Sequence, residues 1–160
     1  GSGAIAIALR KEEAHLQVTA SDISEQAVAV ARKNAADNAA DVTFLTGDML
    51  EPFIEAGIRC DILVSNPPYI PVHEQMEHSV VDFEPHVALF GGEDGLKFYR
   101  EIFANAHRVI KEKAILAFEM GYDQGERLRA LAKEHFPDAR VEIIKDLSGK
   151  NRMLFVYHNL

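Results

Sequence analysis

Hydrophobic positions recur along the chain at two spacings, one typical of helices and the other typical of strands. Helical spacing predicts helices over 3–14, 25–38, 95–110 and 124–135. Short apolar or β-branched runs predict strands over 16–22, 42–48, 60–69, 114–121, 140–145 and 152–158. Because strands alternate with helices, the pattern indicates an α/β fold with a mostly parallel sheet. The last two strands are joined by a turn-forming linker and predict an antiparallel edge.

Three local features refine these predictions. Ser24 precedes a helical pattern and has the residue type of an N-cap. The uninterrupted apolar run 62–64 predicts a central strand that is buried on both faces. Residues 66–94 hold four of the six prolines and a Gly-Gly pair, which predicts a long irregular segment of the kind that often carries function.

Composition narrows the class of protein. The chain has 160 residues, 48% of them apolar and 26% charged, which is typical of one globular domain. No apolar run reaches the roughly 20 residues that a membrane span needs, and the cytoplasm is the expected compartment. The net charge of −8, with its signs interleaved, counts against a nucleic-acid-binding surface, because such surfaces are basic. A single cysteine, Cys60, and scattered histidines predict neither an internal disulfide nor a metal site.

Polar residues follow each of the first three predicted strands. They are Asp22, the pair Gly47-Asp48, and the Asn-Pro-Pro-Tyr segment at 66–69. Since ligands of α/β sheets bind at the carboxyl ends of the strands, all three features are expected at one edge of the sheet. That edge is the predicted functional site.

The chain starts with Gly1-Ser2-Gly3 and continues as G-x-G-x-x-A, a pattern of nucleotide-binding turns. Glycines allow a sharp turn and close approach to a ligand, and the following helix offers free N–H groups. By itself the match is weak, and the remnant of an expression tag is the alternative. Asp22, about 20 residues further on at a strand end, favours a nucleoside cofactor, because its carboxylate can accept hydrogen bonds from ribose hydroxyls.

Asp48 bears on which nucleoside cofactor is bound. An ordinary turn residue is one explanation for an acid that follows Thr-Gly. A nicotinamide dinucleotide calls for no acid at this strand end, whereas methyltransferases commonly place one beside the adenine amino group. Asp48 therefore favours S-adenosylmethionine without deciding the matter.

The segment Asn66-Pro67-Pro68-Tyr69 offers rigid hydrogen-bond acceptors. Consecutive prolines fix φ, remove two backbone donors and hold Asn66 extended. The side-chain oxygen of Asn66 and the carbonyl of Pro67 can each accept one hydrogen of a planar –NH₂ group that lies against the Tyr69 ring. The nitrogen lone pair then faces the cofactor, as amino methylation requires. A proline-rich strand exit with no further role is the alternative.

A resemblance to a known family rests on seven segments, namely GSGAIAIAL (1–9), ASD (20–22), GDML (47–50), ILVSNPPYIP (62–71), FEPHVALFGGEDGL (83–96), FEMGYDQGE (118–126) and DLSGKNR (146–152). With them the chain resembles the catalytic domain of the HemK/PrmC-type release factor glutamine methyltransferases. The resemblance implies a class I, Rossmann-like S-adenosylmethionine-dependent methyltransferase domain over 1–160. The family's first strand and its N-terminal helical domain are expected to be absent from the chain.

The resemblance also implies an activity and roles for individual residues. The methyl group goes to N5 of the glutamine in the Gly-Gly-Gln motif of peptide chain release factors, and S-adenosylhomocysteine is the product. The implied cofactor-binding residues are Gly1, Ser2, Gly3, Asp22, Ile23, Asp48, Met49 and Asn66. The implied substrate-binding residues are Asn66, Pro67, Pro68, Tyr69 and Glu84, of which Asn66, Pro67 and Tyr69 are catalytic.

Three further polar residues have less specific roles. Glu84 shapes the pocket or contacts the partner, or else it anchors its loop through a salt bridge. Glu119 lies at a strand end, where an ion pair is a stronger expectation than contact with the cofactor. Arg152 is expected to pack at the final strand.

Two other functions stay open at this point. An amino methyltransferase acting on N6 of adenine or N2 of guanine in DNA or RNA shares the Asn-Pro-Pro-Tyr motif, although the acidic charge counts against it. A truncated domain that binds the cofactor, or nothing, without catalysis agrees with the missing first strand. On the favoured hypothesis the partners are release factors, with neither nucleic acid nor membrane involved, and the protein is a monomer.

Overall fold

The computed structural model describes residues 1–72 and 90–160. Their contacts divide the chain into two compact units, Gly1–Ile58 and Arg59–Leu160. The first unit contains α1 (Ala4–Glu12), β1 (Val18–Asp22), α2 (Glu25–Asp37), β2 (Val42–Thr46) and α3 (Glu51–Glu55). The second contains β3 (Cys60–Ser65), α4 (Lys97–Ala106), β4 (Ile110–Glu119), α5 (Gly125–His135), β5 (Arg140–Lys145) and β6 (Asn151–His158). The predicted alternation of helices and strands is confirmed.

The first unit is built around a parallel pair of strands. β1 and β2 run side by side, with Asp22 opposite Thr46 at their carboxyl ends. The apolar side chains that form the core come from α1, α2 and β2 and are Ile7, Val28, Ala31, Ala35 and Phe44. The Ser24 hydroxyl accepts a hydrogen bond from the N–H of Ala27 at 3.2 Å, which confirms the predicted N-cap of α2.

The second unit contains a four-stranded mixed sheet in the order β3-β4-β6-β5. β3 pairs with β4 in parallel, whereas β6 is antiparallel to both β4 and β5. The predicted antiparallel strand pair is therefore confirmed, with the last strand of the chain inserted between β4 and β5. The rings of Tyr99 and Phe103 on α4 pack against Phe118 of β4, with centroid separations of 5.9 and 5.1 Å.

The prediction that 62–64 is buried on both faces is wrong. Ile62 is 46% exposed and Val64 is 39% exposed. Within its sheet, β3 is an edge strand that pairs with β4 alone. An apolar run therefore identified the strand correctly but not the coverage of its two faces, which depends on neighbouring elements.

Other differences concern short or irregular segments. Helix α3 was not predicted, because five residues are too few to show a helical period. At the ends of the irregular segment, Ile70 and Phe90 form a parallel bridge, and the Val72 N–H donates to the carbonyl of Gly92 at 3.0 Å. Glu84 lies outside the described residues. Among the helices of the described ranges, none has the length and apolar character of a membrane span.

Candidate active site

In the first unit, a tight turn precedes α1. Gly3 is the N-cap of α1 and has a φ of 79°, a left-handed conformation that favours glycine. A Cβ atom at this position would lie 2.9 Å from the Cβ of Ala31 and 3.3 Å from the ring of Phe44. Gly3 is therefore required both by its backbone conformation and by the space around it. The first backbone N–H groups of α1 have no partner within the helix and can serve a ligand.

Asp22 lies beside this turn, at the end of β1. The N–H of Ser24 donates to one oxygen of its carboxylate at 2.8 Å. The Asp22 side chain is 27% exposed, so a ligand can reach it. The glycine turn and this acid share a cavity of about 50 Å³, whose lining residues are Gly1, Gly3, Ala20, Ser21, Asp22, Val28, Ala31 and Phe44.

Asp48 and Met49 lie at the same end of the β1–β2 pair as Asp22. The N–H of Gly47 donates to the Asp22 carbonyl at 3.0 Å. The Ser21 hydroxyl donates to the carbonyl of Met49 at 3.4 Å. These bonds hold the loops that follow the two strands together, so the two acids predicted to contact a nucleoside are neighbours in the first unit.

Ser2 and Ile23 are the other predicted cofactor residues of this unit. The carbonyl of Ser2 accepts a hydrogen bond from the Asn34 side chain at 3.0 Å, which ties the glycine turn to α2. Ile23 is 66% exposed, directly after Asp22. It therefore offers an apolar surface beside the carboxylate, of the kind that an aromatic base can cover.

In the second unit, the segment 66–69 follows directly from β3. Asn66 is exposed, and its side chain makes no hydrogen bond to any residue in the described ranges. Pro67 is buried, whereas Pro68 and Tyr69 are half-buried. The segment is thus anchored by its proline and aromatic residues while its amide group stays accessible.

The Tyr69 hydroxyl is held by residues at the ends of two other strands. It donates to the Glu119 carboxylate at 3.3 Å and accepts from the Arg152 guanidinium at 3.5 Å. Arg152 also pairs with Asp146 at 3.2 Å. Among the described residues, Glu119 is therefore hydrogen-bonded to Tyr69 rather than ion-paired to a cation. Both Glu119 and Arg152 act on the orientation of the tyrosine ring.

The environment keeps the Tyr69 hydroxyl protonated. Burial raises the pKa of Tyr69 above its usual value, and the nearby Glu119 carboxylate raises this pKa further, while Arg152 lowers it. At neutral pH the hydroxyl is therefore a hydrogen-bond donor to Glu119, and it is unsuited to act as a general base.

A glycine-containing loop packs directly against the backbone of the 66–69 segment. A Cβ atom on Gly91 would lie 2.5 Å from the Pro68 carbonyl oxygen. One on Gly95, whose φ is 75°, would lie 2.2 Å from the Tyr69 carbonyl oxygen. Only glycine permits backbone to lie this close to backbone at both positions.

The structure brings the predicted residues together in two groups. Gly1, Gly3 and Asp22 adjoin Asp48 and Met49 in the first unit. The second unit holds the whole segment 66–69. Sequence reasoning missed Gly91, Gly95 and Gln124, which contact this segment. The segments that carry the family resemblance contain all three residues, Gly91 and Gly95 in GGEDG and Gln124 in FEMGYDQGE, but sequence reasoning assigned no role to any of them.

The described ranges contain no group of three or more His, Cys, Asp or Glu side chains arranged to hold a metal ion. Cys60 is half-buried, and burial raises the pKa of its thiol. This thiol therefore has little thiolate character, and it is poorly suited to act as a nucleophile.

Comparison with known proteins gives the class of this one. The family described as "Methyltransferase small domain" matches residues 1–83, more than half of the chain, and the chain belongs to this family. It is 47% identical over 157 residues to the release factor glutamine methyltransferase of Bacillus anthracis, a match covering 97% of this chain and 56% of that protein. The chain spans about half the length of the curated relatives that it matches.

Solved structures agree with this assignment at the level of the fold. The protein-(glutamine-N5) methyltransferase (release factor-specific) of Alicyclobacillus acidocaldarius superposes with a TM-score of 0.54 at 22% identity, covering 100% of this chain and 94% of that one. A ribosomal protein L11 methylase from Lactobacillus delbrueckii gives a TM-score of 0.70 at 19% identity, covering 100% of this chain and 67% of that one. The predicted class I methyltransferase fold is confirmed.

Proposed function

We propose that this protein transfers a methyl group from S-adenosylmethionine to the side-chain amide nitrogen, N5, of the glutamine in the Gly-Gly-Gln motif of peptide chain release factors. The observation that carries the proposal is the segment 66–69, where an accessible Asn66 side chain precedes a braced Pro-Pro-Tyr backbone. The similarity to release factor glutamine methyltransferases supports the same activity. We also propose that residues 1–160 act as one methyltransferase domain.

The first unit has the features needed to hold S-adenosylmethionine. The turn at Gly1–Gly3 packs Gly3 in a left-handed conformation against Ala31 and Phe44, and it leads directly into the free N–H groups at the start of α1. Asp22 would accept hydrogen bonds from the ribose hydroxyls, while Asp48 and Met49 would border the adenine. When bound, the cofactor supplies a methyl group attached to a positively charged sulfur. The neutral thioether that remains after transfer is a good leaving group.

The acceptor amide needs help, because its nitrogen lone pair is delocalised into the carbonyl. The Asn66 side-chain oxygen and the Pro67 carbonyl would each accept one N–H of the amide. Two such bonds fix the –NH₂ group and turn its lone pair out of conjugation as the nitrogen becomes pyramidal. The Tyr69 ring would form a wall against which the amide plane lies.

Positioning then supplies most of the rate enhancement. Well-oriented reacting groups can recover on the order of 7–11 kcal/mol of a barrier. S-adenosylmethionine, held by the glycine turn and Asp22, would supply the methyl group and keep the electron pair of the broken carbon–sulfur bond on its sulfur, which would leave the methylated amide nitrogen acidic. A proton then leaves to water, and no general base with a shifted pKa is required. The raised pKa of Tyr69 is compatible with this scheme, since the ring serves as a surface rather than as a base.

The proposal extends to partners and compartment. We expect release factors as protein substrates, a monomer as the active form, and the cytoplasm as the compartment, because translation termination takes place there. The acidic net charge of −8 favours a protein substrate over DNA or RNA, whose phosphates attract basic surfaces.

The experiment uses the full-length protein, a purified release factor and S-adenosylmethionine. Mass spectrometry of peptides from the release factor should show one added methyl group on the glutamine of the Gly-Gly-Gln motif. A release factor with that glutamine changed to alanine is the control and should stay unmodified.

Two outcomes would overturn the proposal. One is an unmodified glutamine after incubation under conditions in which calorimetry shows that the cofactor binds. The other is transfer of labelled methyl groups to adenine or guanine in total RNA or DNA in preference to the release factor. That result would establish the nucleic-acid amino methyltransferase instead.

A further inference from the structure

Gln124 differs from the other polar residues in how deeply it is buried. It is 1% exposed and is the one fully buried polar or charged residue in the described ranges. Burying an amide group is unfavourable unless its donors and acceptor are satisfied. The partners of this side chain therefore indicate what it does.

All partners of the Gln124 side chain are backbone groups. The N–H of Gly121 donates to its Oε1 at 2.9 Å. Its Nε2 donates to the carbonyl of Tyr69 at 2.8 Å and lies 3.4 Å from the carbonyl of Gly95. The bond from Gly121 fixes which end of the amide is oxygen, so the NH₂ end faces the two carbonyls.

Gln124 does not use its side chain for its own helix. It occupies the N-cap position of α5, where a polar side chain ordinarily accepts a bond from the helix's first N–H groups. Here the side chain makes no such capping bond. The side-chain NH₂ group donates instead to the carbonyl of Tyr69, which is 55 residues away in sequence.

The contacts around Tyr69 meet at its backbone as well as at its ring. Gln124 binds the Tyr69 carbonyl, and Gly95 lies so close to the same carbonyl that no Cβ atom would fit. Glu119 and Arg152 bind the hydroxyl at the other end of the residue. Tyr69 is thereby fixed at both ends, and with it the backbone that carries the Pro67 carbonyl.

We propose that Gln124 is a positioning residue, which acts through the Tyr69 carbonyl to hold the 66–69 segment in the geometry that accepts the substrate amide. The inference rests on the proposed function. It assigns to Gln124 no contact with substrate or cofactor.

The test compares three variants of the full-length protein. Gln124→Met keeps the side-chain length but removes the donor and the acceptor. Gln124→Glu keeps the shape and the acceptor for the Gly121 N–H but, as a carboxylate, lacks the donor to Tyr69. Gln17→Met is the matched control, because it makes the same chemical change at an exposed position.

Two measurements are made on each variant. Hydrogen exchange, followed by mass spectrometry without substrate, reports on the peptide that covers 62–72. Steady-state kinetics with a release factor gives kcat and the KM for S-adenosylmethionine. Both Gln124 variants should show faster exchange in that peptide and a kcat lower by about 10- to 100-fold, because small misplacements of reacting groups are costly. The KM for the cofactor should stay within about twofold, and Gln17→Met should match the wild type in every measurement.

Other results would overturn the inference. They are unchanged exchange over 62–72, a kcat like that of the wild type, or a parallel loss of cofactor affinity. Failure of both Gln124 variants to fold would assign the residue to folding and also reject the positioning role. A wild-type protein that does not methylate the release factor rejects the proposed function, whereas the exchange measurement separately decides whether Gln124 holds the segment.

Discussion

The two units hold their candidate site residues by different kinds of contact. In the first unit, Asp22 is held by the N–H of Ser24, two residues away, and by loops that follow adjacent parallel strands. In the second unit, Tyr69 is held by Glu119, Gln124 and Arg152, which are 50, 55 and 83 residues away. The first group is thus held by bonds that span between 2 and 32 residues, the longest joining Ser2 to Asn34, whereas the bonds that hold the second span between 50 and 83 residues.

Under the proposed function, this difference indicates that the first unit binds the cofactor and that the segment 66–69 orients the substrate amide. A nucleoside presents hydroxyls and a flat base, which strand-end carboxylates and a glycine turn can bind without elaborate support. An amide acceptor must be held so that its lone pair points in one direction, which demands a rigid set of acceptors. We therefore expect changes in the first unit to act on cofactor affinity and changes around 66–69 to act on the methyl-transfer step.

The largest effect is expected for Asn66→Ala. This change removes one of the two proposed acceptors for the substrate amide, so kcat should fall by about 10²- to 10³-fold, as when one preorganised polar group is lost from other active sites. Kinetics with a release factor measures the loss, and calorimetry measures cofactor affinity. Asn105→Ala is the control and should leave both unchanged, because within the part of the chain that the structure describes the half-buried Asn105 side chain bonds only to the Glu101 carbonyl of its own helix, α4. Because the resemblance also implies that Asn66 contacts the cofactor, a small loss of affinity fits this prediction, whereas a loss of affinity as large as the loss of kcat would weaken the contrast between the units.

Gly95→Ala should have the next largest effect, and Gly149→Ala is its matched control. The two glycines have φ values of 75° and 78°, but a Cβ at Gly149 would meet nothing within 4 Å, whereas one at Gly95 would meet the Tyr69 carbonyl oxygen at 2.2 Å. Both changes should lower the free energy of unfolding by about 1–2 kcal/mol for the left-handed backbone. Only Gly95→Ala must also move the Tyr69 backbone, which should lower kcat by about 100-fold.

Denaturant unfolding and steady-state kinetics together check this pair. If Gly95→Ala and Gly149→Ala lose the same stability and keep the same kcat, then close packing against Tyr69 has no bearing on the reaction. The segment 66–69 would then need no more support than the loops of the first unit.

Asp22→Asn changes the first unit and should therefore weaken cofactor binding rather than slow methyl transfer. Asparagine keeps an oxygen that can accept the Ser24 N–H, so the start of α2 is preserved, but it loses the charge that strengthens bonds to ribose hydroxyls. We expect about 1.5 kcal/mol of lost binding free energy, or roughly a tenfold weaker affinity for S-adenosylmethionine. Calorimetry measures the affinity, and Asp41→Asn, at an exposed position in the same unit, serves as the control. A drop in kcat at saturating cofactor would contradict the separation of roles.

The smallest effect concerns pH. Because the pKa of Tyr69 is raised in the folded protein, its stabilising contribution is complete below the ordinary tyrosine pKa of about 10 and is lost as pH rises through the folded value. Tyr69→Phe removes this titration together with two long hydrogen bonds. It should lower the free energy of unfolding by about 0.5–1 kcal/mol near pH 8, and by less near pH 11.

Thermal unfolding of the wild type and Tyr69→Phe at the two pH values checks this prediction. The difference in Tm should shrink or reverse at high pH. A difference that is the same at both would show that the Tyr69 hydroxyl is not protected from ionisation by its surroundings. Tyr99 also has a raised pKa, caused chiefly by burial, but it is present in both proteins and cancels in the comparison.

Much of the fold and part of the candidate site could be predicted from the sequence. The strand-end acids Asp22 and Asp48 and the segment 66–69 stand out because each follows an apolar run at a predicted strand end. Ser24 as an N-cap was equally predictable, since its bond to Ala27 spans one helical turn. The roles of these residues in binding and catalysis stay predictions, and Glu84 lies outside the described residues.

The supporting residues could not be predicted in the same way. Gln124 looks like any polar residue at the start of a helix, and its partner Tyr69 is far away in sequence. Glu119 lies at a strand end, where an ion pair was a stronger expectation than contact with the cofactor. Its contact with the Tyr69 hydroxyl arises because β3 and β4 are adjacent in the sheet.

The sequence by itself determined the succession of helices and strands, the glycine turn and the chemistry at the strand ends, because periodicity and residue type act over a few neighbouring positions. Tertiary structure alone decided that β6 lies between β4 and β5, that Ile62 and Val64 are exposed, and that Tyr69 is fixed at both ends. Those outcomes depend on which distant segments pair, and the spacing of hydrophobic residues along the chain does not show which strands pair.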